Sequence, residues 1–306
     1  MSELNYEILE KRIHDWAVRQ PKMQAGLVVG SRARQDYTMD EWSDLDLILF
    51  THAREELASD SSWLEQFGEV WVSWLNINQR GDPEWFALYT GGTKADIFLA
   101  PEPRRKREQA NLLDWIKAFP YPDVFTRGIR VLFDKSETSS SDLAQVLLSI
   151  TKQEAWQSLP DSEAFTNAIN GFLISATRVA KLIRRGELWQ AKNQLDCDMK
   201  RDLLSMLAWH AHATKGTQYD TWYDGRYLTA WVDPHASASL PEAYAVYDRE
   251  DLQRALFATL DIYRGVAVET SERLGFNYPI DADKKITEWV GSVLDISDEI
   301  PGKRGK

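Results

Sequence analysis

The chain has 306 residues, of which 43% are hydrophobic and 27% charged, so it can bury the cores of two domains and is not a disordered polymer. Its net charge of −11 disfavours nucleic acid as a partner and favours a cationic one, and its single cysteine, Cys197, excludes an internal disulfide and a cysteine metal cage. The charged start lacks the apolar core of a signal peptide, and no run approaches the roughly 20 apolar residues that span a bilayer. We therefore expect a cytoplasmic protein with no membrane partner.

The first half of the chain alternates between short apolar runs and turn residues. Apolar residues at helical spacing predict helices over 4–19 and 104–118. Short apolar runs predict strands over 25–29, 44–50, 70–75 and 129–133. The further runs 85–89 and 95–99 flank Gly91 and Gly92, which predicts a hairpin. Together these elements predict a mixed β-sheet flanked by helices.

From about residue 140 onwards the strand signals fade and longer amphipathic stretches replace them. These stretches predict helices over 141–157, 163–185, 188–213, 241–272 and 283–294. The polar, serine-rich segment 135–142 is typical of a domain boundary. We therefore predict an α+β fold, with the mixed-sheet domain over 1–138, an all-α helical bundle over 139–295 and a flexible tail over 296–306.

The first chemically informative segment is Gly30-Ser31, directly after a predicted strand. Glycine lets a phosphate approach the backbone, and Ser31 offers a hydroxyl and an amide as donors. Because Gly-Ser turns are common, this dipeptide alone is weak evidence for a phosphate site.

The second segment is Ser43-Asp44-Leu45-Asp46, at the entrance of the apolar strand 44–50. Carboxylates two residues apart on a strand project to the same face, where they repel unless a cation neutralises them. Mg²⁺ binds one or two protein carboxylates and completes its shell with water and substrate phosphates. A solvated strand entrance is the alternative, but the apolar run that follows places the pair beside the core.

A third acid, Asp96, lies in the otherwise apolar strand 95–99. A buried carboxylate needs a partner, because an unpaired buried charge is costly. A metal shared with Asp44 and Asp46 is one candidate for that partner. The other is Lys94, which lies two residues earlier on the same face and could form a simple ion pair.

These three segments together resemble the site of polymerase-β-type nucleotidyltransferases, and more closely the aminoglycoside 6-adenylyltransferase (streptomycin adenylyltransferase) family. The matching runs are Gly30-Ser31-Arg32-Ala33 and Glu41-Trp42-Ser43-Asp44-Leu45-Asp46, and Asp96 resembles the third acid of the family. In the helical half, Val179-Ala180-Lys181 and the run from Leu203 to Trp209 are similar to family helices. The likeness covers most of residues 1–290 and is strongest at 30–50.

The resemblance implies transfer of AMP from Mg·ATP to a hydroxyl of an aminoglycoside such as streptomycin, with release of pyrophosphate and resistance to the antibiotic. It implies that Mg²⁺ is held by Asp44, Asp46 and Asp96, with Asp96 either completing a second metal position or accepting the proton of the attacking hydroxyl. The same resemblance implies that the phosphates of ATP contact Gly30, Ser31, Arg32 and Lys181. For the last two, an ion pair of Arg32 with Asp36 and a surface position of Lys181 are the alternatives.

The acceptor is expected in a cleft between the two domains. Candidate carboxylates for its ammonium groups are Glu84, Asp196 and Asp198, and candidate aromatic walls are Trp74, Trp85 and Trp156. One departure from the family concerns the acceptor. Where the family has Asn-Glu-Phe-Trp, this chain has Asn170-Gly171-Phe172-Leu173, which leaves the identity of the antibiotic open.

Two other functions remain open at this point. One is the same chemistry on another small-molecule or protein hydroxyl, for example that of a lincosamide. The other is binding of a nucleotide or drug without turnover, which the three acids disfavour. In each case we expect ATP and a small cationic molecule as partners, no nucleic acid, and a monomer or weak homodimer.

Overall fold

The computed structural model describes residues 4–34, 40–100, 112–120, 125, 128–135 and 159–294. The chain forms two compact units, residues 1–153 and 154–306. The boundary predicted near residue 138 and the predicted tail over 296–306 fall outside the described residues, so both stay predictions.

The first unit contains both helices and strands. Its described helices are α1 (Tyr6–Arg19), α2 (Arg54–Ser59) and α3 (Leu112–Ala118). Its strands are β1 (Met23–Val29), β2 (Leu45–Thr51), β3 (Val70–Ile77), β4 (Pro83–Tyr89), β5 (Thr93–Ala100) and β6 (Arg130–Asp134). Each strand predicted from the sequence is therefore present, with its ends shifted by one or two residues.

The six strands form one mixed sheet in the order β3-β4-β5-β2-β1-β6. The central pair, β2 and β5, is parallel, whereas the other neighbouring strands are antiparallel. The hairpin between β4 and β5 turns at Gly91 and Gly92, whose φ angles of 85° and 78° lie in the region that glycine tolerates best. The predicted hairpin is thus confirmed, while the parallel pairing of β2 with β5 joins segments that are far apart along the chain.

The two faces of the sheet carry separate cores, because successive side chains of a strand alternate between faces. On one face, Leu47 and Leu49 of β2 belong to the same core as Leu9 and Ile13 of α1. On the other face, residues of β1 and β2 share a core with α3, as Phe50 does with Trp115 at a ring-centroid distance of 5.1 Å. At the start of β2 and β5, this second face carries carboxylates in place of apolar side chains.

All the regular secondary structure in the described residues of the second unit is helical. Its helices are α4 (Ser162–Arg184), α5 (Leu188–Asn193), α6 (Met199–Lys215), α7 (Leu228–Trp231), α8 (Pro234–Ser239), α9 (Arg249–Leu274) and α10 (Ile280–Leu294). The stretch predicted as one helix over 188–213 is interrupted by a single π-helical segment at Gln194–Asp198. The helix predicted over 141–157 lies outside the described residues.

The core of this second unit joins α4, α6, α9 and α10. At its centre Phe172 of α4 stacks on Tyr263 of α9, with ring centroids 3.6 Å apart. None of the helices in the described ranges combines the length and the apolar character needed to span a membrane. A mixed sheet followed by a helical unit confirms the predicted α+β class.

Candidate active site

The parallel pairing of β2 with β5 brings two of the predicted acids side by side. Asp46 of β2 lies directly opposite Asp96 of β5 in the strand register. Residues paired in this way point to the same face of a sheet, so both carboxylates lie on the face that α3 covers further along the strands. The acids that the sequence predicted as one cluster are therefore neighbours in space, although they are distant along the chain.

Asp44, the third predicted acid, joins this pair through a shared ammonium group. Lys94 Nζ lies 3.1 Å from Asp44 Oδ2 and 2.9 Å from Asp96 Oδ2. The hydroxyl of Tyr6 donates a hydrogen bond to Asp44 Oδ1 at 3.3 Å and accepts one from the backbone N–H of Lys94. The simple ion pair between Lys94 and Asp96, one of the two partners expected for that acid, is thus present.

The Gly30 turn lies against the carboxylate of Asp46. Val29, the last residue of β1, is paired with Asp46, and Gly30 then begins a short 3₁₀ turn at a φ angle of 65°. A Cβ atom at Gly30 would collide with Oδ2 of Asp46. Glycine is therefore required here for two reasons, its left-handed backbone and the close approach of the acid. The turn places Ser31 beside the same carboxylate-bearing end of the sheet.

Arg32 contacts the segment that immediately precedes β2. Its Nε donates a hydrogen bond to the carbonyl of Ser43 at 2.7 Å, and its guanidinium lies 3.7 Å from the ring centroid of Tyr6. Arg32 therefore holds the segment that carries Asp44 in place, a contribution that the sequence did not indicate. The alternative partner, Asp36, falls outside the described residues.

The electrostatics of the site are dominated by burial and by repulsion among carboxylates. Burial, with repulsion from Asp96 and Asp44, raises the pKa of Asp46 to about 7. Burial also raises the pKa of Asp96, although the hydrogen bond from Lys94 opposes that rise. For Lys94, burial lowers the pKa, but the hydrogen bonds to Asp96 and Asp44 outweigh it, so its pKa is raised overall.

Glu84 is a fourth carboxylate at this site. Together with Asp46 and Asp96 it lines a cavity of about 290 Å³, whose apolar walls include Phe98 and Phe119. Burial and repulsion from Asp96 raise the pKa of Glu84. The sequence offered Glu84 only as one of several acids. Its position follows from strand alternation, since Trp85 beside it faces the opposite core.

The tryptophans proposed as pocket walls separate into two groups. Trp74 on β3 is 63% exposed and stacks on Phe86 of β4, which is paired with Asp96 in the strand register. This aromatic pair therefore extends the carboxylate-bearing face. Trp85 is buried against the opposite core and donates a hydrogen bond to the carbonyl of Leu57, so its assignment to a pocket was wrong. Trp156 falls outside the described residues.

The remaining predicted residues belong to the second unit. Lys181 lies on α4 with its Nζ 5.4 Å from the ring centroid of Trp289, so its contact with a phosphate stays a prediction. Asp196 is paired with Lys192 at 2.6 Å, and Asp198 lies 3.6 Å from Arg201. Their proposed contact with the acceptor also stays a prediction.

The donor set suits a hard divalent cation that arrives with phosphates. Across the described ranges, no three His, Cys, Asp or Glu side chains form a cage that could hold a metal by themselves. Mg²⁺ does not need such a cage, because one or two carboxylates suffice when a triphosphate supplies further oxygens. Asp96 Oδ1 is buried and meets no hydrogen-bond donor among the described residues, which leaves an oxygen available beside Asp46. The residues present therefore fit a magnesium ion at Asp46 and Asp96.

Comparison with the sequences of known proteins covers nearly the whole chain. Two curated relatives are aminoglycoside 6-adenylyltransferases. The protein of Bacillus subtilis (strain 168) is 23% identical over 91% of this chain and 94% of its own length, and that of Campylobacter jejuni is 22% identical over 92% and 94%. A crystal structure of an aminoglycoside 6-adenyltransferase from Bacillus subtilis aligns with 95% of this chain and 99% of its own, at 20% identity and a TM-score of 0.44. Because residues 5–293 match the family described as streptomycin adenylyltransferase, the chain belongs to that family of adenylyltransferases.

Proposed function

We propose that this protein transfers AMP from Mg·ATP to a hydroxyl group of a streptomycin-like aminoglycoside, releases pyrophosphate and thereby gives resistance in the cytoplasm. The observation that carries the proposal is the pairing of Asp46 with Asp96 beside the Gly30 turn, on one face of the sheet. Two half-buried carboxylates next to a glycine turn suit a metal-bound triphosphate better than any other ligand class named above.

In this proposal, magnesium held by Asp46, Asp96 and Asp44 would supply charge stabilisation for the triphosphate. The amide groups of the turn at Gly30 and Ser31 are suited to the β- and γ-phosphates, because consecutive backbone N–H groups of such a turn bind anions. Arg32 and, from the second unit, Lys181 would neutralise further phosphate charge. Most of the rate acceleration in such reactions comes from positioning and charge stabilisation.

The chemical step forms one bond and breaks another at the α-phosphorus. The acceptor oxygen attacks phosphorus, the bond to the bridging oxygen of the β-phosphate breaks, and pyrophosphate leaves. The proton of the attacking hydroxyl needs an acceptor within hydrogen-bond reach. Asp96 is suited to that role, as the alternative to a position in the metal site, because its raised pKa favours taking up a proton.

The acceptor site is proposed to include Glu84 and the aromatic pair formed by Trp74 and Phe86. Glu84 shares a cavity with Asp46 and Asp96, so an ammonium bound to it would lie beside the reacting phosphate. The exposed ring of Trp74 could contact the apolar face of a sugar. The net charge of −11 also favours a polycationic acceptor.

The test is pyrophosphate release by purified protein with Mg·ATP and a panel of aminoglycosides and lincosamides. We expect release with streptomycin-like drugs, its loss in Asp46→Asn and Asp96→Asn, and normal release in the control Asp15→Asn, whose side chain lies exposed on α1. Turnover retained in both site variants would contradict the metal assignment. Release with lincosamides alone would move the proposal to that acceptor, an outcome consistent with Gly171 in place of the family acid.

A further inference from the structure

We infer that Lys94 is a built-in cation that holds Asp44 and Asp96 together in the nucleotide-free protein and competes with divalent metal for their oxygens. This inference rests on the proposed function, since it concerns the same carboxylates. Its consequence is that metal binds weakly to the protein alone and enters mainly together with the nucleotide.

The geometry of the ammonium group supports this role. Its nitrogen lies within hydrogen-bond distance of one oxygen from each carboxylate, Oδ2 of Asp44 and Oδ2 of Asp96. The proposed metal site would use the same two carboxylates, together with Asp46. Lys94 therefore occupies a bridging position between two carboxylates, which is where a divalent ion would also be most strongly attracted.

The backbone of Lys94 is fixed, whereas its side chain has room to leave. Lys94 lies within β5, and its N–H donates to the hydroxyl of Tyr6, so its Cα position is set by the sheet. The side chain is 35% exposed and crosses the ring of Phe86, with Nζ 5.4 Å from the ring centroid. A long lysine stem anchored in this way can turn its charge towards solvent or towards an incoming phosphate.

The charges of the site account for the inference that the ammonium of Lys94 is displaced from its carboxylates mainly when the metal arrives with phosphate. Without Lys94, the partly buried acids Asp44, Asp46, Asp96 and Glu84 would repel one another, and that repulsion is relieved by either kind of cation. An ammonium and a divalent ion cannot share the oxygens at close range, because like charges a few ångströms apart repel strongly in a half-buried site. Phosphate oxygens would supply the metal with additional ligands and give the displaced ammonium a new partner.

The experiment measures Mn²⁺ binding to the full-length protein without nucleotide or acceptor, followed by the loss of the free-ion electron paramagnetic resonance signal. Lys94→Met keeps the apolar stem and removes the charge, whereas Lys94→Arg keeps the charge. We expect Lys94→Met to bind Mn²⁺ about tenfold more tightly than the wild type, because a neighbouring positive charge is lost. We expect Lys94→Arg to stay near the wild type.

The location of the effect is tested with the double variant Lys94→Met/Asp96→Asn. If the tighter binding arises at this site, it is lost in the double variant. Equal or weaker Mn²⁺ binding by Lys94→Met, or no measurable binding by either protein, overturns the inference and leaves Lys94 as a structural brace. Circular dichroism of each variant shows whether the fold is retained, and a purely structural role would weaken metal binding.

The outcome is separate from that of the proposed function, because no turnover enters the titration. If no acceptor in the panel supports pyrophosphate release from ATP, the result counts against the proposed function and leaves the proposed competition between Lys94 and the metal intact. Conversely, an active enzyme whose metal affinity is indifferent to residue 94 would count against this inference alone.

Discussion

Among individual residues, Asp46 shows most clearly a conflict within the site, because burial and neighbouring acids oppose the negative charge that would bind a metal. It is a carboxylate that burial and neighbouring acids keep from ionising freely, with its pKa raised to about 7. A protein keeps such a group at a cost in stability when the group serves a ligand. In the metal-free protein, that cost should be measurable as a dependence of stability on pH.

We predict that Asp46→Asn stabilises the metal-free protein at pH 8. Between its ordinary pKa of 3.8 and about 7, the folded state holds a proton that the unfolded state has released. The free energy of unfolding therefore decreases as pH rises through this range. Removing the charge should restore about 2–4 kcal/mol at pH 8, since one pKa unit corresponds to about 1.4 kcal/mol, and less at pH 5.

Urea unfolding of both proteins in chelator at pH 5 and pH 8 measures this difference. Asp15→Asn is the matched control, because Asp15 is exposed and its pKa is lowered by the hydrogen bonds from Lys11 and His14. That variant should not be stabilised at pH 8. Equal stability of Asp46→Asn and the wild type at both pH values would show that Asp46 carries no buried charge.

We also predict that Glu84→Gln raises the KM for the aminoglycoside more than about tenfold, because a carboxylate paired with a buried ammonium contributes on the order of 1.5–3 kcal/mol. The KM for ATP should change little, since Glu84 is not among the residues proposed to contact the phosphates. Steady-state kinetics with each substrate varied in turn measure the split. A parallel rise in both constants would assign Glu84 to the general integrity of the site.

The acids of the site were predictable from the sequence to different degrees. Asp44, Asp46 and Asp96 stand out, because each interrupts or opens an apolar strand. Lys94 was predicted as a possible partner of Asp96 from their spacing alone. The position of Glu84 depends on how β4 pairs with β5, and the proposed pocket role of its neighbour Trp85 was wrong because Trp85 packs in the opposite core.

At the level of elements, replacing either of two glycines by alanine should have opposite effects on stability, because the glycines lie in different backbone settings. Gly30 has a left-handed φ angle and lies against Asp46, whereas Gly171 lies in the middle of α4. No described atom outside the backbone of α4 comes within 4 Å of the place that a Cβ at Gly171 would occupy. Glycine in a helix interior is less favourable than alanine, because it loses more backbone entropy on folding.

We predict that Gly171→Ala stabilises the protein by about 0.5–1 kcal/mol, the usual difference between the two residues inside a helix. Gly30→Ala should destabilise it by more than about 1 kcal/mol, because the left-handed conformation and the collision with Asp46 both oppose a side chain. Thermal unfolding of the two variants measures both changes in one experiment. A destabilised Gly171→Ala would show that α4 meets a neighbour at that position.

For the whole molecule, the balance of charge predicts a salt dependence that differs between the two substrates. A protein of net charge −11 attracts a polycation and repels Mg·ATP, and added salt screens both effects over a Debye length of about 10 Å at 0.1 M. We predict that kcat/KM for the aminoglycoside falls severalfold between low and 0.3 M potassium chloride, while kcat/KM for ATP does not fall. A parallel loss for both substrates would indicate a general effect of salt on the enzyme.

The division of the molecule into a sheet unit and a helical unit could be predicted, because the hydrophobic period changes from two to about 3.6 along the chain. The order of the strands could not. Local patterns identify β2 and β5 as strands, but their pairing depends on packing between segments that are remote in sequence. The π-helical segment at Gln194–Asp198 also gave no local signal.

The parallel pairing of β2 and β5 makes the chemistry of this protein sensitive to a displacement of one residue. If β5 slid by one position, Asp96 would exchange faces with Ala95 or Ile97 and enter the apolar layer beside α1. Such a molecule would retain nearly all of its secondary structure and would be inactive. The active fraction of a preparation should therefore be measured by titrating the site with ligand. Spectroscopic measures of folding would also include molecules in which β2 and β5 pair in a shifted register.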